Sequence, residues 1–365
     1  MNQINVMRPY LPPIEEYYDK LKIIWNDHSL SNMGPLHNEF EKKVKDIMET
    51  SECVLLNNGH MSLELVLEAM ELQGEVITTP YTFASTTNAI VRKGLIPVFC
   101  DIHEDDYTID ETKIESLINQ QTCAIMPVHV YGNLCNMEAI WDIAQRHHLK
   151  VIYDGAHAFG VKKNGECITK FADATVLSFH ATKPFHSVEG GAVVCNNKAL
   201  ADKIRKIRNF GIESEDVEEI GLNAKMNEFQ AAMGLCNLEH FDEIIAERKK
   251  IVERYIDKLS GMKGIVLNRV CTEVKSNYAY FPIRITHEFP KDRNSVHEYL
   301  MEQGIQTRKY FYPLTCDLKC YKTYDYERNV PIARKIANEI LAIPLYQNLT
   351  EDDIDNIVYK LKQCK

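Results

Sequence analysis

Between Cys53 and Asp154, short apolar runs alternate with helical patterns, and this alternation restricts the fold more than any other feature of the chain. Cys53 to Leu56, Val76 to Thr78, Ile96 to Ile102, Ala124 to Val130 and Val151 to Tyr153 read as strands. Ser62 to Met70, Thr82 to Val91, Glu111 to Ile118 and Met137 to His147 read as the helices between them. The strands are short, β-branched and continuously apolar, as expected when both faces are covered. Their order predicts an α/β fold, a mostly parallel sheet flanked by helices. Two further strands, Ala174 to Phe179 and Gly191 to Cys195, enclose a loop that carries Lys183.

After Cys195 the pattern changes. Leu200, Ile204, Ile207 and Phe210 recur at helical spacing, and Gly211 to Gly221 reads as an acidic loop. Met226 to Leu259 is too long for a typical globular helix and predicts two helices, or one bent helix joining two domains. A smaller α+β unit follows from about residue 260. Its strands are expected at Tyr278 to Ile285 and Thr307 to Tyr312, and its helices at Ser295 to Gln303, Ile332 to Ile340 and Asp352 to Leu361. The 365 residues exceed one simple core. The expected division is an N-terminal arm over 1–30, a large domain over 31–240 and a small C-terminal domain over 241–365.

A net charge of −10 argues against a nucleic-acid partner, which favours a basic face. No signal-peptide pattern opens the chain and no apolar run reaches about 18 residues, so neither secretion nor membrane spanning is expected. The eleven cysteines are odd in number and scattered, which points to a reduced, cytoplasmic protein. Cys316 and Cys320 lack a second ligand pair, so no metal site is expected.

In open α/β sheets ligands bind beyond the carboxyl ends of the strands. Asn58-Gly59-His60-Met61-Ser62 lies between a strand and a helix start, where backbone N–H groups suit a phosphate. Phe83, Asp154, His157, Ser178 and Lys183 fall at or just past other strand ends. Each reads two ways. Lys183 is a solvated loop lysine or an amine for Schiff-base chemistry. Asp154 is a strand-end carboxylate or an acid for a ring nitrogen, and Phe83 is core or a stacking ring. Together, a lysine, a carboxylate, an aromatic ring and a phosphate cup at one edge match the needs of pyridoxal phosphate.

The run GEVITTPYTFASTTNAIVRKGLIPVFCDI, with DGAHAFG at 154–160, SFHATK at 178–183, EGGAVV at 189–194, GLNAKMNEFQAAMG at 221–234 and AIPLYQNLTEDDIDNIV at 342–358, resembles the DegT/DnrJ/EryC1/StrS sugar aminotransferases over nearly the whole chain. The resemblance implies a fold type I pyridoxal-phosphate enzyme, a homodimer with shared active sites. It implies Lys183 as the Schiff-base lysine, Asp154 as the acid on the pyridine nitrogen and His157 at the position, often Gln, that reaches the ring hydroxyl. Phe83 matches the stacking ring, Ser178 a phosphate-binding hydroxyl, and Asn223 the residue that the partner subunit lends to the phosphate. The family's usual Gly-Thr pair is Gly59-His60 here, which leaves the backbone N–H groups of His60 and Met61, or the His60 ring, for the phosphate.

Arg308, Lys309, Tyr310 and Tyr312 match the family's substrate-facing segment. The implied reaction moves an amino group from L-glutamate to a nucleotide-linked keto sugar. The chain looks most like members that aminate dTDP-4-keto-6-deoxy-D-glucose at C4 for O-antigen synthesis, with a 3-keto or UDP-linked 4-keto sugar as the rival. Dehydratase relatives have His in place of the lysine; Lys183 favours transamination, although another pyridoxal-phosphate reaction such as dehydration stays open. An inactive regulator would lack Lys183 or Asp154, and neither is lost.

Overall fold

The computed structural model of the chain describes residues 3–268, 271–321 and 329–364. Helices α1 (Ile14–Asp27) and α2 (Pro35–Ile47) precede an alternating series: β1 (Glu52–Leu56), α3 (Gly59–Ala69), β2 (Glu75–Thr78), α4 (Ala84–Arg92), β3 (Ile96–Phe99), α5 (Glu111–Leu117), β4 (Thr122–Met126), α6 (Met137–His147) and β5 (Lys150–Asp154). A short hairpin, β6 (Lys162–Lys163) and β7 (Glu166–Cys167), leads to β8 (Ala174–Ser178), β9 (Gly191–Cys195) and α7 (Lys198–Ile207).

These strands form a seven-stranded sheet in the order β1-β9-β8-β5-β4-β2-β3. β2, β3, β4, β5 and β8 pair in parallel, and β9 is antiparallel to both β1 and β8. Alternate residues face opposite sides. Leu55, Val151, Tyr153, Leu177 and Val194 pack under α2 and α6 through Phe40, Val44, Ile140 and Ala144. Val54, Leu56, Ile152, Val176 and Val193 pack under α3, α4 and α7 through Leu63, Ile90 and Ile204. The fold is therefore α/β, with a mostly parallel sheet covered on both faces.

The acidic segment expected as a loop holds a small hairpin, β10 (Ile212–Glu213) with β11 (Asp216–Val217). The long apolar region resolves into two helices, α8 (Glu228–Glu239) and α9 (Phe241–Leu259), separated at His240. A capping box between Asn227 and Gln230 starts α8. After it come β12 (Ile265–Leu267), β13 (Val274–Lys275), β14 (Phe281–Ile285), α10 (Arg293–Glu302), α11 (Pro331–Glu339), β15 (Ile340–Ile343) and α12 (Glu351–Gln363). β14 lies between β12 and β15, antiparallel to both. This sheet shares a second core with Val252, Tyr255 and Leu259 of α9, Leu300 of α10, Ile357 of α12, and Ile4 near the N-terminus.

One expected strand does not form. Thr307 to Tyr312 makes a single bridge, Arg308 to Ala342, and then turns, with the Tyr312 N–H donating to the Lys309 carbonyl at 2.7 Å. Pro313 follows and has no N–H for a ladder. Among the described residues no helix is long and apolar enough to cross a membrane.

Candidate active site

Lys183 owes its place to the β8–β9 pair. Ser178 faces Gly191 across the ladder, so the loop between them closes where it began. Backbone bonds tie it inward: Phe179 N–H to the Gly190 carbonyl at 2.8 Å, Ser187 N–H to the Phe179 carbonyl at 2.9 Å and Ala181 N–H to the Val188 carbonyl at 2.7 Å. Gly191 is required by a close approach, because a Cβ there would stand 2.6 Å from the Asn58 carbonyl carbon. Lys183 is half-buried in this loop, and its Nζ donates to the Tyr280 hydroxyl at 3.2 Å.

Asp154 ends β5 and is buried. Its Oδ2 accepts from the Thr86 hydroxyl at 2.7 Å and its Oδ1 from the Ala156 N–H at 3.1 Å. Burial pushes its pKa up. Those two hydrogen bonds, and the charges of Lys183 and His60, pull the other way. A buried carboxylate whose protein donors are a hydroxyl and one N–H is suited to a cationic ligand atom.

His157, two residues past the Gly155 turn, is also buried. The Tyr131 N–H donates to its Nδ1 at 3.0 Å. Nδ1 is therefore an acceptor and Nε2 carries the proton in the neutral ring. Burial holds its pKa well below the usual histidine range, and the Lys183 charge adds to that. The ring lies parallel to Phe311 at 5.9 Å and meets the Tyr280 ring edge-on at 5.0 Å.

The turn after β1 forms the opposite wall. Asn58 caps α3, its side chain accepting from the Met61 N–H at 2.9 Å. Met61's N–H is thereby engaged, and the Gly59 and His60 N–H groups open the helix without intrahelical acceptors. Ser178 stands against this turn: a Cβ on Gly59 would lie 2.8 Å from the Ser178 Cβ and 3.1 Å from its Oγ. The His60 ring is held on both sides, Nδ1 2.8 Å from the Ser85 Oγ and Nε2 2.9 Å from Glu64 Oε1. Both ring nitrogens thus face protein groups. His60→Ala is expected to cost about 1–2 kcal/mol, read by urea unfolding, because the buried Glu64 loses its contact with the His60 ring and keeps only Arg92.

Phe83 precedes α4 and is 62% exposed. It shares a groove of ≈ 520 Å³ with Arg308, Lys309, Tyr310 and Tyr312. The Tyr310 ring meets Tyr280 edge-on at 5.7 Å, which joins this groove to the Lys183 surroundings. Asn223 is exposed, its backbone bridged to Asn209, and it makes no contact with Lys183 or Asp154 within this chain. Sequence reasoning missed Thr86, Tyr131 and Tyr280. Thr86 sits in the same TFASTT run as Phe83, and Tyr280 lies at the start of the strand-like run YFPIRI, but neither run reveals its partner.

Pyridoxal phosphate carries a ring nitrogen, a ring hydroxyl, an aldehyde and a phosphate. A buried carboxylate, an Nε2–H, a primary amine and a helix N-terminus with a nearby hydroxyl are the complementary groups, and this sheet edge gathers them. Comparisons with known proteins point the same way. The model of the DegT/DnrJ/EryC1/StrS aminotransferase family matches residues 14–362. A dTDP-4-amino-4,6-dideoxy-D-glucose transaminase from Shigella dysenteriae is 42% identical over 363 residues, covering 99% of both chains. An enzyme of the same name from Escherichia coli is 39% identical over 361 residues, covering 97% of this chain and 96% of its own. The crystal structure of DesI in the presence of its TDP-sugar product superposes with a TM-score of 0.95 at 32% identity, covering 100% of this chain and 93% of its own. Matched by the family model over residues 14–362 and by relatives end to end, the chain belongs to the DegT/DnrJ/EryC1/StrS aminotransferase family.

Proposed function

We propose that the protein is a pyridoxal-phosphate-dependent aminotransferase that moves the amino group of L-glutamate to C4 of dTDP-4-keto-6-deoxy-D-glucose, giving dTDP-4-amino-4,6-dideoxy-D-glucose. The observation that carries this reading is the Lys183 amine standing beside the buried Asp154 and the neutral His157 at one sheet edge. The names of the relatives supply the sugar.

Bound pyridoxal phosphate supplies an electron sink for charge developing at the reacting carbon. The chain supplies the rest. Lys183 Nζ would hold the cofactor and, as a free amine, would take the proton from the donor's α-carbon. The Tyr280 hydroxyl keeps that amine within reach. Asp154 would keep the ring nitrogen protonated, and His157 would donate Nε2–H to the ring hydroxyl. Phe83 would supply a stacking ring. The Gly59 and His60 N–H groups and the Ser178 hydroxyl would hold the phosphate, joined by Asn223 of the partner subunit. Arg308, Tyr310 and Tyr312 face the sugar nucleotide. In the second half-reaction Lys183 returns a proton to the sugar carbon that receives the amine. One site serves both substrates in turn, so ping-pong kinetics are expected.

The dimer in this reading is supported by the apolar residues that α1 and its flanks leave to solvent, Leu11, Ile14, Tyr18 and Trp25. All eleven cysteines are free thiols, which supports a cytoplasmic enzyme. Its amino sugar would feed a surface polysaccharide such as O-antigen.

Incubation with L-glutamate and a panel of dTDP- and UDP-linked keto sugars is the test. The expected result is 2-oxoglutarate release with the dTDP-4-keto sugar and an amine that NMR places at C4. An amine at C3, or preference for a UDP sugar, replaces the substrate assigned here. A deoxygenated keto sugar that carries no amine, formed with 2-oxoglutarate and free ammonia, makes the protein a dehydratase.

A further inference from the structure

Arg248 on α9 is 5% exposed. Its Nε donates to the Tyr278 carbonyl at 2.8 Å and an Nη to the Ala279 carbonyl at 2.9 Å. Among the described residues no carboxylate forms an ion pair with it, and burial draws its pKa down to about 10. Other buried arginines are matched differently. Arg284 pairs with Glu104 and Glu339, Arg208 with Glu41, and the Arg293 guanidinium lies 4.7 Å from the centre of the Tyr312 ring. A buried guanidinium without an anion is costly, and two carbonyls satisfy only part of its five-donor fork.

Arg248 lines a cavity of ≈ 80 Å³ with Thr182, Tyr280, Arg308 and Tyr310. Thr182 precedes Lys183 in the chain, and the Tyr280 hydroxyl is 3.2 Å from the Lys183 Nζ. The cavity thus adjoins the reacting amine, has two arginines on its wall and has no acidic residue there. At about 30 Å³ per liquid water, its volume holds a carboxylate group and is too small for a nucleoside diphosphate.

We propose that this cavity is the carboxylate subsite of the amino donor, with Arg248 as its fixed cation and Arg308 closing it. The assignment rests on the aminotransferase reading above. It places the donor's carboxylate on the α9 side of Tyr280 and its amino group on the Lys183 side. The guanidinium fork suits the two oxygens of a carboxylate. Arg308 also lines the ≈ 520 Å³ groove, so it faces both substrates, whereas Arg248 faces the donor alone.

The test is calorimetric titration of the pyridoxal-phosphate-loaded protein with glutarate, a dicarboxylate without an amine, and separately with dTDP. Arg248→Lys is expected to weaken glutarate binding about 10- to 100-fold and leave dTDP binding unchanged. Arg308→Gln is expected to weaken both. The KM for L-glutamate should rise with the glutarate Kd, while the KM for the keto sugar stays constant in Arg248→Lys. Wild-type glutarate affinity in a folded Arg248→Lys protein overturns the assignment, as does an equal loss of dTDP. If Arg248→Lys fails to fold, Arg308→Gln decides, and unchanged glutarate binding there overturns the assignment. A wild-type protein that binds glutarate through Arg248 yet yields no 2-oxoglutarate leaves the anion site standing and removes the aminotransferase reading. Normal transamination with unchanged glutamate KM in the variants does the reverse.

Discussion

Lys183→Ala is expected to lower 2-oxoglutarate formation from L-glutamate and the keto sugar at least about 10⁴-fold, with no recovery at higher glutamate. Two functions are lost together, the covalent hold on the cofactor and the base that moves the α-proton. Fold should be kept, because the side chain is half-buried and its Nζ donates only to the Tyr280 hydroxyl among the described residues. Lys183→Arg sharpens the test. Arginine keeps the positive charge beside Asp154 and His157, but its guanidinium does not lose a proton at working pH. Both variants are therefore expected to be inactive, and both should release pyridoxal phosphate on dialysis faster than wild type. A Lys183→Ala protein retaining more than a few per cent of wild-type turnover would end the mechanism. A small exogenous amine should restore part of the proton transfer in Lys183→Ala and little in Lys183→Arg, where the guanidinium fills the space.

The strands were legible because a parallel strand buried on both faces is almost continuously apolar, as Val151 to Tyr153 are and as Ala174 to Leu177 are apart from Thr175. Their carboxyl ends then placed Asp154, Ser178 and Lys183 on one edge. Periodicity also showed that 226–259 was too long for one ordinary helix, but it did not locate the break at His240. The direction of β9 was not readable, because an apolar run of five carries no sign of parallel or antiparallel pairing. Thr307 to Tyr312 looked like a strand from its β-branched and aromatic residues, and the neighbouring turn and Pro313 limited it to one bridge. In the site, the missed groups all act through long-range contacts. Thr86 reaches Asp154 across 68 residues and Tyr280 reaches Lys183 across 97. The tautomer of His157 is set by the backbone of Tyr131, a feature no side-chain pattern announces. Arg248 is one charge among several on the amphipathic helix α9, and its lack of a carboxylate partner among the described residues shows only in the packing.

Asp154→Asn is expected to lower kcat about 10²- to 10³-fold with a much smaller change in the KM for either substrate. The substitution changes charge at almost constant shape. Asparagine Oδ1 can accept the Ala156 N–H as the carboxylate does. Its Nδ2 would face the Thr86 hydroxyl, which can rotate to accept, because Thr86 Oγ1 also lies 2.9 Å from the Thr82 Oγ1 and can donate there. The buried site therefore keeps its hydrogen bonds, and because burial already disfavours the carboxylate charge, stability should stay within about 1 kcal/mol of wild type. What is lost is the anion that holds a proton on the ring nitrogen, and with it the stabilisation of charge at the reacting carbon. That stabilisation is needed chiefly in the transition state, so the loss falls on kcat. Asp154→Ala separates this from packing: it should lose at least as much rate and also lower the urea midpoint, since Thr86 and Ala156 would face a void. An Asp154→Asn protein within tenfold of wild-type kcat would show that the carboxylate charge is not what drives the chemistry, and would leave Asp154 as a support for the α4 N-terminus through Thr86.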